Sequence, residues 1–357
     1  MVTTKKGTSV KHLPSFNDKS CKEYYAKFKH FLKIRNDNLD EARVALEDVL
    51  GWLWRVAAEP VLEIIRKDLV PQDSFKGTLP RVWWISCGWI NVFPIHIAGN
   101  YSKRPDGTTG HTVMDHVISS YTPSLKALDY ARKTMERMTA ACSGYPERPS
   151  ALLVSMKYTP DIKPDLGNAP IEIRDVKGIL ESAYKVIALG NPREEFADKP
   201  SKKSVVTALH SCTIAHFACH GIADENDPLK SKLILCDWIE RPLRVGLLMR
   251  MDLERCQLVN LSACDMAVNR DLLLREEGLH VAGAFQLAGV PNTIATMWPI
   301  IDAYAARVSS GLYTALASGK NACSFSASAV ELHFVLKKMS NEGLSPVIWG
   351  PYVHFGA

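Results

Sequence analysis

Several features that would narrow the class of protein are missing from this sequence. The lysines near the start, in MVTTKKGTSVKHLPSF, are not followed by an apolar stretch, so the segment does not match a secretory signal. No window approaches the roughly 18 to 20 unbroken apolar residues that a membrane helix needs. Lys and Arg are scattered, and the formal net charge is only +5 over 357 residues. These absences argue against membrane and nucleic-acid binding, and a cytoplasmic or nuclear location is the default expectation, with the cytoplasm as the first choice.

The nine cysteines include no C-x-x-C pair. Their odd number and wide spacing suit neither a disulfide framework nor a zinc ribbon, so no metal or other cofactor is expected. We expect most of them to be reduced, buried and apolar in behaviour. The hydrophobic fraction of 46% and the charged fraction of 23% are ordinary for a globular protein. The length allows one large α/β domain or two average domains.

The N-terminal part of the chain is predicted to be helical and polar. Residues 1–38 are rich in lysine, and we expect a loosely attached lead-in with one amphipathic segment, CKEYYAKFKHFLKIRND. From residue 39, apolar residues recur at helical spacing, and Pro60 is expected to divide them into two helices. The segment RVWWISCGWINVFPIHIAG (81–99) predicts a strand, a turn at Gly88 and a second short strand.

Strand-like and helix-like segments alternate through the rest of the chain. The predicted strands are HVISSY, SALLVSM, TIAHFACHG, QLVNLSAC and NTIATMW, with a hairpin in SKLILCDW. The predicted helices are SLKALDYARKTMERM, DVKGILESAYK, KKSVVTALHSC, RVGLLMRMDLERC and EEGLHVAGAFQLAG, with two more between 302 and 340. Short apolar strands separated by helices indicate βαβ units. The predicted fold class is therefore α/β, with a mostly parallel central sheet covered by helices on both faces.

The strand TIAHFACHG contains two histidines and a cysteine. On a strand, His216 and His220 point to the same side but lie roughly 13 Å apart, so one metal ion cannot take both. Cys219 projects to the opposite face from His220. We therefore interpret His216, deeper in the strand, as a core histidine with satisfied hydrogen bonds. A zinc site built from His216, Cys219 and His220 is the weakest alternative.

His220 stands at the carboxyl end of its strand, where open parallel sheets bind ligands. Cys264 follows the strand in QLVNLSAC in the same way, and the 44 positions between them accommodate a crossover between neighbouring strands. An imidazole beside a thiol can take its proton, which produces the reactive thiolate. Gly221 would let the backbone turn sharply and approach a substrate, and its N–H, with that of Cys264, would form an oxyanion hole.

Acidic residues near the predicted strand ends are candidates for substrate recognition. An acidic residue in the pocket for the P1 side chain, on the amino side of the scissile bond, would select a basic residue. Asp265, Asp224 and Glu277 are the candidates, and a solvated or capping role is the competing interpretation of each. Asp302 begins a predicted helix, and capping of that helix explains it without a substrate.

The order and spacing of several motifs resemble those of the CHAT domain, a branch of the caspase-like cysteine peptidases. The motifs are HFACHG with DPLKSKLIL, LVNLSACDMA, EEGLHVAGAFQLAGVPNTIATMWPIID and PVIWGPYVHFGA. The upstream RVWWISCGWINVFPIHIAG and DHVISSYTPSLKAL are similar to the N-terminal half of the family, most closely to its fungal members. The resemblance covers 39–357, with an N-terminal half at 39–150 and a catalytic half at 151–357.

The resemblance implies a caspase-haemoglobinase fold with His220 as general base, Cys264 as nucleophile and no obligatory third acid or metal. The caspase histidine likewise lies about 50 residues upstream of its cysteine. The implied function is a cysteine endopeptidase that cleaves a protein substrate, in a process such as programmed cell death or immunity, under the control of a partner or sensor domain. The alternative is a non-catalytic caspase-like interaction or signalling module.

The sequence departs from the family pattern at two places outside the implied dyad. Trp89 replaces a proline that often follows the glycine of the upstream turn, and Gly350 replaces an alanine before the final proline. The tetratricopeptide array that commonly precedes a CHAT domain does not occur in the sequence, so we expect a stand-alone enzyme or the C-terminal part of a longer protein.

Overall fold

The computed structural model describes residues 1–69, 79–102, 111–142, 148–191, 196, 198–222, 224, 227–262, 281–318 and 325–357. Three candidate residues, Cys264, Asp265 and Glu277, lie outside these ranges. The strands are β1 (Val2–Thr4), β2 (Gly7–Ser9), β3 (Arg81–Trp84), β4 (Ile118–Tyr121), β5 (Ser150–Ser155), β6 (Lys185–Leu189), β7 (Ile214–Ala218), β8 (Gly221–Ile222), β9 (Lys232–Leu233), β10 (Leu243–Arg244), β11 (Leu258–Leu261), β12 (Asn292–Thr296) and β13 (Tyr352–Gly356). The helices are α1 (Asp18–Ile34), α2 (Leu39–Leu53), α3 (Glu59–Leu69), α4 (Leu125–Cys142), α5 (Ala169–Leu180), α6 (Lys202–Leu209), α7 (Val245–Leu248), α8 (Val281–Leu287), α9 (Asp302–Ala317), α10 (Ser328–Asn341) and α11 (Pro346–Trp349).

A sheet of eight strands forms the centre of the molecule, in the order β3-β4-β13-β12-β11-β7-β5-β6. Neighbouring strands are parallel throughout, except that β12 and β13 are antiparallel. The sheet therefore consists of two parallel blocks, β3-β4-β13 and β12-β11-β7-β5-β6, which meet at the β12–β13 pair. The prediction of a mostly parallel sheet is confirmed.

Helices cover both faces of this sheet. Successive side chains of β7 point to opposite faces, and their contacts identify the helices on each side. His216 contacts Glu172 of α5 and Tyr313 of α9. Phe217, the next residue, lies against Phe285 of α8, with 6.2 Å between the ring centres. Among the helices of the described ranges, none is long and apolar enough to cross a membrane.

The N-terminal helix α1 packs against the core. Its apolar residues recur at spacings of three and four, and the buried ones are Cys21, Phe28, Phe31 and Leu32. The rings of Phe28 and Phe31 meet the ring of Trp298 edge to face, at 6.1 and 5.5 Å between centres. The expectation of a loosely attached lead-in is wrong for this helix, whereas the domain boundary at residue 38 stays a prediction.

The two departures from the CHAT pattern lie near this helix. The indole N–H of Trp89 donates a hydrogen bond to Asp18 of α1 at 2.9 Å. Gly350 lies under Trp298, where an added Cβ would be 3.3 Å from the indole ring. Both positions therefore belong to the packing that joins α1 to the rest of the protein.

Two local predictions in the N-terminal half are wrong. Pro60 does not separate two helices, because the π-helical turn Trp54–Ala58 joins α2 to α3. The wider π turn gives the proline ring room that an α-helix lacks. Gly88 does form the predicted turn, at φ +61°. The second strand after it is replaced by the 3-10 turns Gly88–Val92 and Ile95–Ile97.

Other differences concern the catalytic half. Two strands of the eight-stranded sheet, β6 and β13, were not predicted, nor was the short strand β10. The predicted hairpin in SKLILCDW is also wrong, because β9 pairs with β8 on one side and β10 on the other. The segment RVGLLMRMDLERC forms only the single turn α7. The helix predicted in DVKGILESAYK begins earlier, at Ala169, and ends at Leu180.

Candidate functional site

The candidate site lies at the carboxyl ends of β7 and β11. These strands are parallel neighbours, with Ile214 opposite Leu258 and Phe217 opposite Leu261. The prediction that they lie side by side is confirmed. His220 follows the end of β7 by two residues, and Ser262 is the last described residue after β11.

The imidazole of His220 is held by a main-chain carbonyl. Its Nε2 lies 3.0 Å from the oxygen of Pro164. A carbonyl oxygen only accepts hydrogen bonds, so Nε2 carries the proton and, in the neutral ring, Nδ1 is the acceptor. Burial lowers the pKa of His220, while the Pro164 carbonyl and the charges of Asp302 and Asp165 raise it to a smaller extent. His220 is therefore held in a defined tautomer, and burial disfavours its charged form.

The sequence analysis did not identify Pro164 as the partner of His220, because every residue has a main-chain carbonyl and the sequence does not show which one is used. The segment between β5 and α5 that contains it is tied to its surroundings. Leu166 donates its N–H to the carbonyl of Lys157 at 3.0 Å. The indole N–H of Trp238 donates to the carbonyl of Pro160 at 3.1 Å. These bonds fix the carbonyl that orients His220.

Gly221 begins β8 in an extended conformation. Its φ is not among the positive values of the described glycines, so a sharp left-handed turn is not the reason for glycine here. Ile234 donates its N–H to the carbonyl of His220 at 2.9 Å. Hydrogen-bonded and non-hydrogen-bonded pairs alternate along an antiparallel ladder. Gly221 and Leu233 therefore form a non-hydrogen-bonded pair, and the N–H of Gly221 points away from β9.

Asp224, a candidate for substrate recognition, lies in the turn between β8 and β9. Its Oδ1 accepts the N–H of Asp227 at 3.0 Å, and its own N–H donates to Ser231 Oγ at 3.0 Å. These bonds give Asp224 a turn-forming role. A contact of Asp224 with substrate stays a prediction, as do the contacts of Asp265 and Glu277.

Asp302 does not cap its own helix as predicted. Ile301 occupies the cap position of α9 and makes no side-chain cap. The Oδ2 atom of Asp302 instead accepts two hydrogen bonds from Asn168, from the backbone N–H at 2.7 Å and from Nδ2 at 2.9 Å. Asp302 thereby ties the start of α9 to the start of α5.

A small, largely enclosed cavity lies at the carboxyl ends of β7 and β11. Its lining includes Leu166, Cys219, Ser262, Ile300 and Asp302. Cys219 directly precedes His220, and Ser262 lies two residues before Cys264 in the sequence. The pocket therefore borders both strands that carry the candidate dyad.

His216 is a core histidine, as predicted, but only its Nδ1 is hydrogen-bonded within the described residues, because the contact of Nε2 with Glu172 lacks hydrogen-bond geometry. Its side chain is fully buried, with Nδ1 3.2 Å from the hydroxyl of Tyr313 and Nε2 3.1 Å from Glu172 Oε1. The same oxygen of Glu172 accepts a hydrogen bond from Ser309 at 2.5 Å. Within the ranges that the structure describes, no three His, Cys, Asp or Glu side chains are placed to hold a metal ion.

Comparisons with solved structures identify the fold. The Arg specific cysteine proteinase gingipain R (RgpB) matches with a TM-score of 0.51 and 14% identity, over 94% of this chain and 75% of that chain. The complex of the pro- and mature domains of Porphyromonas gingivalis RgpB gives 0.48 and 13%, over 94% and 76%. The Saccharomyces cerevisiae separase–securin complex gives 0.49 and 12%, over 95% of this chain and 23% of that chain. The predicted caspase-like α/β fold is confirmed.

A search of curated protein sequences returned no match. The model of the CHAT domain matches residues 47–357, which is most of the chain. The matched segment includes both strands of the candidate site and the pocket beside them. The chain therefore belongs to the CHAT domain family.

Proposed function

We propose that this protein is a cysteine endopeptidase whose dyad is His220 and Cys264. The observation that carries the proposal is the hydrogen bond from His220 Nε2 to the Pro164 carbonyl. It leaves Nδ1 as a proton acceptor at the carboxyl end of β7, beside the strand that leads to Cys264. Membership of the CHAT family and the fold shared with a cysteine proteinase agree with this assignment.

The sheet register supports the pairing of these two residues. Because Phe217 lies opposite Leu261, continuation of the register brings Ala218 opposite Ser262. His220 follows Ala218 by two residues, and Cys264 follows Ser262 by two. Two residues span at most about 7 Å of extended chain. We therefore expect the thiol and the imidazole to reach the same cleft.

The chemistry follows from these positions. Nδ1 of His220 takes the proton of the Cys264 thiol, and the sulfur attacks the scissile carbonyl. The N–H groups of Gly221 and Cys264 stabilise the oxyanion, and the orientation of Gly221 away from β9 suits this role. The imidazolium protonates the leaving amine, and water then hydrolyses the acyl-enzyme. A lowered pKa makes the imidazolium a better acid for that second step.

The proposal is tested by cleavage of a peptide library. We expect the wild-type protein to cleave, and the Cys264→Ala and His220→Ala variants to lose cleavage while they keep their fold by circular dichroism. Cys87→Ala is the matched control, because Cys87 is an exposed free thiol. It should cleave as the wild type does. Iodoacetamide at pH 7 should label Cys264 before the other cysteines, and preferential labelling of Cys87 would contradict the proposal.

A non-catalytic interaction module is the alternative. It predicts no Cys264-dependent cleavage of a denatured proteome under any activating condition. The buried imidazole with a fixed tautomer favours the peptidase, since a scaffold gains nothing from an oriented base. A protein substrate, a role in regulated cell death or immunity, a regulatory partner and a likeness to fungal members are expectations from the family resemblance, and a cytoplasmic location stays the default expectation from the sequence.

A further inference from the structure

Two cysteines lie at the amino ends of the strands whose carboxyl ends form the candidate site. Cys212 precedes β7 by two residues, and Cys256 precedes β11 by two residues. The register of β7 with β11, continued backwards, places Cys212 opposite Cys256. The 44 positions that separate them equal the 44 that separate His220 from Cys264. The same strand pairing therefore brings two cysteines together at the opposite end of the sheet.

Hydrogen bonds hold these two amino ends together. The carbonyl of Thr213 accepts the N–H of Gln257 at 2.8 Å, and these two residues directly follow the cysteines. The thiols of Cys212 and Cys256 are in hydrogen-bonding contact with each other. Both side chains are fully buried. The two sulfur atoms therefore meet in the gap between the strands.

The geometry of the pair suits a disulfide bond, although both residues are free thiols in this structure. Opposed residues of neighbouring strands have Cα atoms about 4.8 Å apart, and disulfides join Cα atoms that are roughly 4.4 to 6.8 Å apart. Cys212 lies in the turn between α6 and β7, and Cys256 lies in the turn before β11. Because both are outside the ladder of β7 with β11, their backbones can adjust to the bond without breaking that ladder.

We infer that Cys212 and Cys256 are a redox pair, which forms a disulfide when the protein is exposed to hydrogen peroxide. One sulfur attacks a peroxide oxygen and becomes a sulfenic acid, and the other peroxide oxygen leaves as water. The second sulfur then displaces the sulfenic oxygen as water, and the S–S bond forms. The pair loses two electrons to the peroxide, and the two thiol protons leave in the two water molecules.

The surroundings of the pair make it slow to react. The hydrogen bond with Cys212, together with burial, raises the pKa of the Cys256 thiol. The thiolate is the species that attacks peroxide, so it is scarce in the folded protein. We expect the disulfide to form at least about 10-fold more slowly than the exposed thiol of Cys87 is oxidised. The pair therefore responds to sustained oxidation.

The bond would stabilise the part of the chain that carries the candidate base. The crossover between the two cysteines contains His220 and the strands β8, β9 and β10. A disulfide that closes this crossover removes conformations from the unfolded chain. The oxidised protein should therefore resist unfolding better than the reduced protein.

The inference is tested by sustained peroxide treatment of the whole protein at pH 7, then alkylation and mass spectrometry of the unreduced digest. We expect the peptides of Cys212 and Cys256 to be linked, and dithiothreitol to separate them. The urea midpoint should rise on oxidation and return on reduction. Cys256→Ser keeps a donor for the Leu258 carbonyl and should show neither the link nor the rise. Cys21→Ala is the matched control: it removes a buried thiol on α1 and should respond as the wild type does.

Neither readout uses cleavage, so the result is independent of the proposed peptidase. The linked peptide is measured on the wild type and does not depend on how the variants fold. If both thiols stay reduced after sustained peroxide, as alkylation of the unfolded protein would show, the inference is overturned. A link without a rise in the urea midpoint would overturn the stabilising role. The same rise in Cys256→Ser would assign the effect to other residues and would overturn it as well.

Discussion

The contact between α1 and the core leads to a quantitative prediction for Phe31→Ala. Phe31 is fully buried, and its ring meets the Trp298 ring at 5.5 Å and 88°. A buried aromatic side chain removes roughly 150 Å² or more from water, which corresponds to about 4 kcal/mol at 25 cal/mol per Å². Phe31→Ala should therefore lower the free energy of unfolding by about 3 to 5 kcal/mol.

The assay is urea unfolding followed by tryptophan fluorescence and by circular dichroism. Lys33→Ala is the control, because Lys33 is exposed on the same helix. It should change the free energy of unfolding by no more than about 0.5 kcal/mol. A loss below about 1 kcal/mol for Phe31→Ala would refute the conclusion that α1 is part of the packed core.

Three further predictions concern acid stability, packing and the site. Burial lowers the pKa of His96 to about 4. Between about pH 6.5 and pH 4, the unfolded chain therefore binds a proton at this histidine and the folded chain does not. Stability should therefore fall with pH, by about 2 kcal/mol at pH 5 from this residue, and urea unfolding at pH 7 and pH 5 measures it. Gly350→Ala should lower the free energy of unfolding by about 1 to 3 kcal/mol in the same assay, since the added Cβ would lie 2.4 Å from the Pro346 carbonyl oxygen. An unchanged urea midpoint would contradict this prediction. NMR titration should place the pKa of His220 below 6.5, and Asp302→Asn should lower it further because it removes a nearby negative charge.

The strands that carry the site were predictable from the sequence. TIAHFACHG and QLVNLSAC are short apolar runs that end in chemically distinctive residues, and a crossover of ordinary length separates them. Their parallel pairing follows from the handedness and length rules for βαβ units. The position of His220 at a strand end, and the core role of His216, followed from the two-residue period of a strand.

Other features depend on contacts that the sequence does not encode locally. Pro164 acts through a main-chain carbonyl, and Asp302 and Ser262 share a pocket only because of the strand order. The segment after Gly88 has the composition of a strand, but tertiary packing favours 3-10 turns. The spacing of Phe28 and Phe31 indicates a buried face on α1, but the lysines around them led to the wrong expectation of a solvated segment.

The place of β13 in the sheet has a consequence for synthesis of the protein on the ribosome. Residues 352–356 lie between a strand from residues 118–121 and one from residues 292–296. Until this segment has emerged, β4 and β12 each lack the neighbour that β13 provides, and the two parallel blocks are not joined. The two blocks can join only after translation has passed residue 356. We therefore expect the residues before β13 to remain only partly folded until β13 has emerged. Chaperones that shield strand edges would act at that stage.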